Sequence, residues 1–206
     1  NTRYQIIEPI GIVDYCAATL SENFAGLPLL SVYKNKIIYN LKWDEKVSIP
    51  EDEHWMRTIA ATNDLKWIKK DDVVGVWYQH DIDRLSFLMG HLDLFKNRQQ
   101  SIQETLQKLI DSNRITPLRL QAASGGLWSC IHGGFYFSPV FWTKVALDVR
   151  KFDPLSKPND PFFQNLPNWI HPLVIEWLML PKRWFNHIIR KLKFNFGYNK
   201  SFVRKF

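Results

Sequence analysis

The residues whose types and spacing best suit chemistry in this chain are His80, Asp81 and Asp83, in the motif His-Asp-Ile-Asp. They lie at the end of a strand predicted from Asp71 to His80, where Val, Trp and Tyr favour a buried strand because branched and aromatic side chains fit a pleated surface. Two carboxylates one residue apart at a strand end can hold Mg²⁺ or Mn²⁺, since hard cations prefer oxygen ligands. The sequence therefore identifies Asp81 and Asp83 as candidate metal ligands, with His80 beside them as a candidate catalytic residue.

The motif resembles the D-x-D pair that many glycosyltransferases carry after a hydrophobic strand, and it is similar to an H-D-x-D motif of some deacetylases. The glycosyltransferase resemblance covers four residues and implies a metal-dependent transfer from a nucleotide sugar, with Mg²⁺ or Mn²⁺ as the cofactor. Neither a glycine-rich nucleotide-binding unit upstream nor an H-x-x-x-H motif downstream accompanies it. A second interpretation needs no metal: Asp83 caps a helix that begins near Leu85, and Asp81 pairs with Arg84.

Cys16 is the second candidate for chemistry. It stands near the expected start of a short helix at Asp14, where the helix dipole favours a thiolate, and His80 or His132 is the candidate base. In the alternative interpretation, Cys16 is a small residue of the core, because Ala-Ala-Thr-Leu follows it. Cys130 lies in a predicted hairpin strand, and neither cysteine belongs to a metal-binding spacing.

The positive charge of the chain is concentrated near its C-terminal end. The chain has 27 Lys and Arg against 20 Asp and Glu, which gives a formal net charge of +7. Residues 181–206 hold eight of the basic residues and no acidic one, so residues 1–180 are close to neutral. A domain built to bind nucleic acid usually spreads its basic residues over a docking face, which is a different distribution.

Residues 182–193 predict an amphipathic helix with one apolar and one basic face. At the helical angle of about 100° per residue, the two classes of side chain fall on opposite sides. The apolar side holds Trp184, Phe185, Ile188, Ile189 and Leu192, and the basic side holds Lys182, Arg183, Arg190, Lys191 and Lys193. This pattern is typical of a helix that lies on an anionic membrane surface or docks on an acidic protein partner. Each basic residue near anionic lipid contributes about 1 kcal/mol, which suits reversible attachment.

Two other interpretations of this C-terminal segment stay open. Its basic residues and interleaved Phe and Tyr suit a single-stranded nucleic acid, whose phosphates they neutralise and whose bases they stack on. Alternatively, the helix packs its apolar face on the body of its own chain. Residues 168–180 are apolar, but thirteen residues are too few for a membrane span, which needs about 20.

Alternating β-rich and amphipathic segments predict an α+β fold with one mixed domain, and an apolar content of 46% excludes a disordered chain. Residues 4–13 are expected to form an opening strand. Residues 29–41 and 127–138 are expected to form hairpins, because β-rich runs flank Lys34-Asn35 in the first and a glycine pair in the second.

Helices are expected at residues 50–62, 85–113 and 140–150 from the spacing of apolar side chains. Capping-box patterns at Ser48 and Ser101 suggest where two helices begin. Residues 153–167 contain four prolines and are expected to form an irregular arm.

The predicted organisation is therefore an α+β body at residues 1–152, a proline-rich arm at 153–167 and an apolar, then basic and aromatic segment at 168–206. The function that this organisation favours is non-catalytic: a peripheral interaction protein whose C-terminal helix docks on an anionic membrane or an acidic partner. A metal-dependent, glycosyltransferase-like enzyme and a single-stranded nucleic-acid-binding protein are the alternatives. The chain begins at Asn1 without an apolar leader, so we expect a processed or partial chain, at an intracellular or membrane-associated face.

Overall fold

The computed structural model describes residues 14–22, 31–47, 50–65, 67–68 and 91–195. All regular secondary structure in these ranges is helical, so the α+β prediction is wrong. The eight helices of these ranges are α1 (Tyr15–Leu20), α2 (Asn35–Ile38), α3 (Glu51–Thr62), α4 (His91–Asp111), α5 (Pro117–Gly134), α6 (Pro139–Phe152), α7 (Pro161–Gln164) and α8 (Pro172–Asn195). The strands predicted at residues 4–13 and before Asp81 lie outside the described ranges.

Both predicted hairpins are wrong. The described part of residues 29–41 contains α2, a single turn in which Tyr39 donates its backbone N–H to the carbonyl of Asn35 at 2.8 Å. Residues 127–134 continue α5, and the chain turns only afterwards, where the Phe137 N–H reaches the Gly134 carbonyl at 3.0 Å. The β-rich composition of these runs is overridden by packing, which weighs more than intrinsic propensity.

The helix α5 is the central element of the core. It begins where Thr116 accepts a hydrogen bond from the Arg119 N–H at 3.2 Å, with Pro117 at the first helical position. It packs against α1, α4 and α6, and Trp128 and Ile131 are fully buried along it. Burying such large apolar side chains stabilises the fold by about 1.5–3 kcal/mol each.

Three glycines of α5 lie where neighbouring elements come closest. A methyl group on Gly126 would overlap the backbone carbonyl of Leu20 in α1. A methyl group on Gly133 would overlap the ring of Phe95 in α4, and one on Gly134 the ring of Trp142 in α6. Gly126, Gly133 and Gly134 therefore serve helix packing, and the absence of their Cβ atoms sets the distance of α1, α4 and α6 from α5.

The helix predicted at residues 50–62 is confirmed as α3. Glu51, Asp52 and Glu53 occupy its first turn, where negative charge is favoured by the helix dipole. The N-cap is Pro50, which makes no side-chain capping bond, and Ser48 lies outside the described residues.

Ser101 is not a helix cap, which corrects the second capping prediction. It lies in the middle of α4, where it is buried and its hydroxyl is 3.1 Å from Nδ1 of His54 in α3. The same two helices share a carboxylate, because Glu53 pairs with both Arg57 and Arg98. Polar contacts of Ser101 and Glu53 thus join α3 to α4 beside their apolar interface.

The last third of the chain is more helical than the sequence suggests. The helix predicted at residues 140–150 is confirmed as α6. The proline-rich segment that follows contains only the single turn α7, which Asp160 caps by accepting from the Phe162 N–H at 2.8 Å. Helix α8 then runs through Pro181, although this proline lacks the N–H that would bond the carbonyl of Trp177. The apolar segment and the basic segment are therefore parts of one helix.

Candidate surface-docking site

One side of α8 packs on the body of the protein. Leu173, Glu176 and Leu180 are buried, and they recur at the three- and four-residue spacing of a helix face. Helix α8 also contacts α6. This inward face ends at Arg183, because Trp184, Phe185 and the two residues after them are exposed.

A polar cluster fixes the inward face of α8 to α5. Glu176 is fully buried, and its Oε1 accepts a hydrogen bond from Nδ1 of His132 at 2.7 Å. Its Oε2 pairs with Nη1 of Arg183 at 2.7 Å, and the same Nη1 donates to the His132 carbonyl at 3.0 Å. We call these three residues the α8 clasp. Both carboxylate oxygens are occupied inside the protein, so the clasp holds the helix rather than presenting a reactive group.

The opposite side of α8 is apolar and exposed. Leu178, Phe185 and Ile188 have exposed fractions of 71%, 65% and 55%. The outward apolar face comprises Val174, Trp177, Leu178, Trp184, Phe185 and Ile188. Single exposed apolar residues are ordinary on a protein surface, but a contiguous helix face of this size is typical of an interaction site.

Two tryptophans hold the edge of this outward face in place. Trp177 donates from Nε1 to the hydroxyl of Thr143 in α6 at 3.1 Å, and its ring meets the buried Phe135 edge-on at 5.5 Å. Trp184 donates from Nε1 to the carbonyl of Tyr136 at 2.7 Å. Since both rings are anchored at their polar atom, the apolar face is preorganised on the body.

The predicted surface-binding residues differ in their position on α8. Trp184, Phe185 and Ile188 lie on the outward face, Lys182 is exposed beside it, and Ile189 is half-buried. Arg183 belongs instead to the α8 clasp, where Glu176 holds it, so its assignment to a free basic face is corrected. The remaining members, Arg190, Lys191, Leu192 and Lys193, form the last helical turns of α8.

Cys16 lies in the first turn of α1, as the nucleophile hypothesis requires, but its surroundings oppose a thiolate. The side chain is 3% exposed, and burial raises the pKa of its thiol to about 11. Burial likewise raises the pKa of Cys130, which is fully enclosed, to about 12. Both cysteines are free thiols, and their burial fits the alternative interpretation of Cys16 as a core residue.

We expect neither thiol of the native protein to react with DTNB at pH 8 within minutes. At a pKa of about 11 only about one thiol in a thousand is ionised at this pH, and the buried sulfur atoms do not meet the reagent. Both thiols should react after unfolding in guanidinium chloride. Rapid labelling of one native thiol that Cys16→Ser abolishes would instead support the nucleophile hypothesis.

The candidate metal site of Asp81 and Asp83, with His80, lies outside the described residues, so its assignment stays a prediction. Among the residues that the structure does describe, no group of three or more His, Cys, Asp and Glu side chains is arranged to hold a metal ion. Within the same ranges, none of the helices has the combination of length and apolar character that crossing a bilayer requires.

The structure contains a chain of contacts from Ser101 through His54 to Asp44, which residue spacing in the sequence does not predict. His54 Nδ1 is 3.1 Å from the Ser101 hydroxyl, and His54 Nε2 is 3.9 Å from Oδ2 of Asp44. Ser101 is buried in mid-helix, where backbone N–H groups are bonded within α4 and cannot stabilise an oxyanion. The contact between Ser101 and His54 therefore acts as an interhelical hydrogen bond.

Comparison of the chain with protein-family models, with curated proteins and with solved structures finds no match.

Proposed function

We propose that this chain is a non-catalytic peripheral protein that docks on an anionic membrane surface through α8. The observation that supports this role best is the position of the outward apolar face, which points away from the body that holds the helix. A terminal helix that only completes its own core buries its apolar side chains, whereas Leu178 and Phe185 are largely exposed.

The charge beside this face favours lipid as the partner. Lys182 is exposed on α8, and residues 181–206 contain eight basic residues and no acidic one. Basic residues near the headgroups of anionic lipids add about 1 kcal/mol each, and apolar burial adds about 25 cal/mol per Å². The exposed aromatic and aliphatic side chains of α8 lie together on the outward apolar face, which suits burial in lipid better than stacking on the bases of a nucleic acid.

The test uses the full chain and vesicles in which about one-third of the lipid is phosphatidylserine. We expect Phe185→Asp and Ile188→Asp each to weaken vesicle binding at least tenfold, because each places a charge where the outward face enters the interface. The thermal unfolding midpoint should change by no more than about 2 °C, since both side chains are exposed. Sedimentation with vesicles and a melting curve measure the two effects.

Leu118→Asp is the matched control, because Leu118 is likewise an exposed apolar residue but lies at the start of α5. It should bind vesicles as the parent protein does. Equal binding to neutral and anionic vesicles would contradict the proposal, as would a salt-sensitive affinity for single-stranded RNA or DNA without vesicle binding.

A further inference from the structure

We infer that the exposed apolar side of α6 also belongs to the docking surface, so that two adjacent helices, α6 and α8, contact the anionic membrane together. This inference rests on the proposed function and names further residues of the same site. It predicts that the lipid-facing surface is a platform, defined here as the outward apolar face of α8 together with Val140 and Leu147 of α6.

The exposed side of α6 carries apolar residues at helical spacing. Val140 is 65% exposed and Leu147 is 49% exposed, although both belong to a helix whose opposite side is buried against the core. Positions 140, 144 and 147 recur at four- and three-residue intervals and therefore lie on one face. Lys144, between the two apolar residues, is exposed as well.

Trp177 connects the exposed apolar side of α6 to the outward apolar face of α8. Its Nε1 donates to Thr143 at 3.1 Å, and Thr143 lies three residues after Val140 and four before Leu147. Residues at these intervals are neighbours on a helix surface, so the indole of Trp177 meets α6 beside both apolar side chains. On α8, the exposed Val174 lies three residues before Trp177 and four before the exposed Leu178, so it is a surface neighbour of both. The apolar surface therefore continues from α6 across Trp177 to the outward face of α8.

The shape and charge of this platform fit a lipid interface. Two helices side by side offer a broader apolar surface than one helix, and a bilayer is a partner without a shape of its own to match. Lys144 on α6 and Lys182 on α8 are exposed and provide positive charge for anionic headgroups. The neighbouring acid on α6, Asp148, is paired with Lys151 at 2.6 Å and adds no unbalanced negative charge.

The test places an environment-sensitive fluorophore on single introduced cysteines in the full chain. The labelled variants are Val140→Cys, Leu147→Cys, Phe185→Cys and, as control, Ile110→Cys, whose parent residue in α4 is 49% exposed, as is Leu147. We expect the probes at 140, 147 and 185 to shift to shorter wavelength on addition of phosphatidylserine vesicles, and the probe at 110 to stay unchanged. The native cysteines are buried and should not take the label.

Aspartate variants give the corresponding affinities. Leu147→Asp should weaken vesicle binding about tenfold, while Ile110→Asp leaves binding within twofold of the parent protein. If Phe185→Asp loses binding but the probes at 140 and 147 stay silent, the platform is overturned and the docking of α8 stands. If no probe shifts and Phe185→Asp binds normally, both proposals fail.

Discussion

Gly126→Ala is expected to lower the free energy of unfolding by about 2 kcal/mol or more, which corresponds to a fall of about 4–8 °C in the unfolding midpoint. The added methyl group would overlap the carbonyl oxygen of Leu20 at the end of α1 and contact the side chain of Ile102 in α4. A side chain can rotate away from such a contact, but a backbone carbonyl moves only with its helix. Relief therefore requires α1 to shift away from α5, and apolar contacts between these helices are lost.

Gly125→Ala is the matched control, because it makes the same chemical change one residue earlier. A methyl group at this position has no heavy atom within 4 Å, and alanine is about 1 kcal/mol more favourable than glycine inside a helix. We therefore expect Gly125→Ala to raise the free energy of unfolding. Chemical denaturation of both variants, with the slope of the transition monitored, measures the difference. A stabilising Gly126→Ala would contradict the close approach of α1 to α5.

Sequence patterns predicted the helices that carry clear local signals. Residues 51–62 have an acidic first turn and residues 139–152 have apolar side chains at helical spacing, and both segments are helices. The sequence failed where β-branched, aromatic or glycine residues stand in helices for reasons of packing. Local propensity alone favours turns at Gly126 and Gly134. Their role in packing depends on contacts with Leu20 of α1 and Trp142 of α6, which local propensity does not contain.

The sequence predicts the docking surface only in part, because local patterns contain no information about packing between helices. The periodicity of residues 182–193 separates apolar from basic side chains, and Phe185 and Ile188 do lie on the exposed apolar face. Periodicity does not tell which side of a helix the rest of the protein covers. Periodicity alone therefore groups Arg183 with Lys182, although the buried carboxylate of Glu176 holds Arg183 against the body.

Arg183→Met is expected to destabilise the protein by about 3–5 kcal/mol, because it leaves the carboxylate of Glu176 buried without its cation. Lys182→Met is the matched control: Lys182 is the adjacent residue, it is exposed, and its loss should change stability by less than about 0.5 kcal/mol. For membrane binding, we expect the effect of Lys182→Met to be larger than that of Arg183→Met. Lys182→Met should weaken binding to anionic vesicles about fivefold, as expected for about 1 kcal/mol.

The double variant Glu176→Met/Arg183→Met separates the ion pair from side-chain packing. Removing both charges leaves no unpaired ion in the clasp. The double variant should therefore lose about 2 kcal/mol less free energy of unfolding than the two single variants lose when their effects are added. Denaturation curves of the four proteins measure this coupling, and vesicle binding is compared under conditions where each remains folded. If Arg183→Met costs less than about 1 kcal/mol and weakens vesicle binding as much as Lys182→Met, Arg183 acts on the membrane and the clasp does not hold α8.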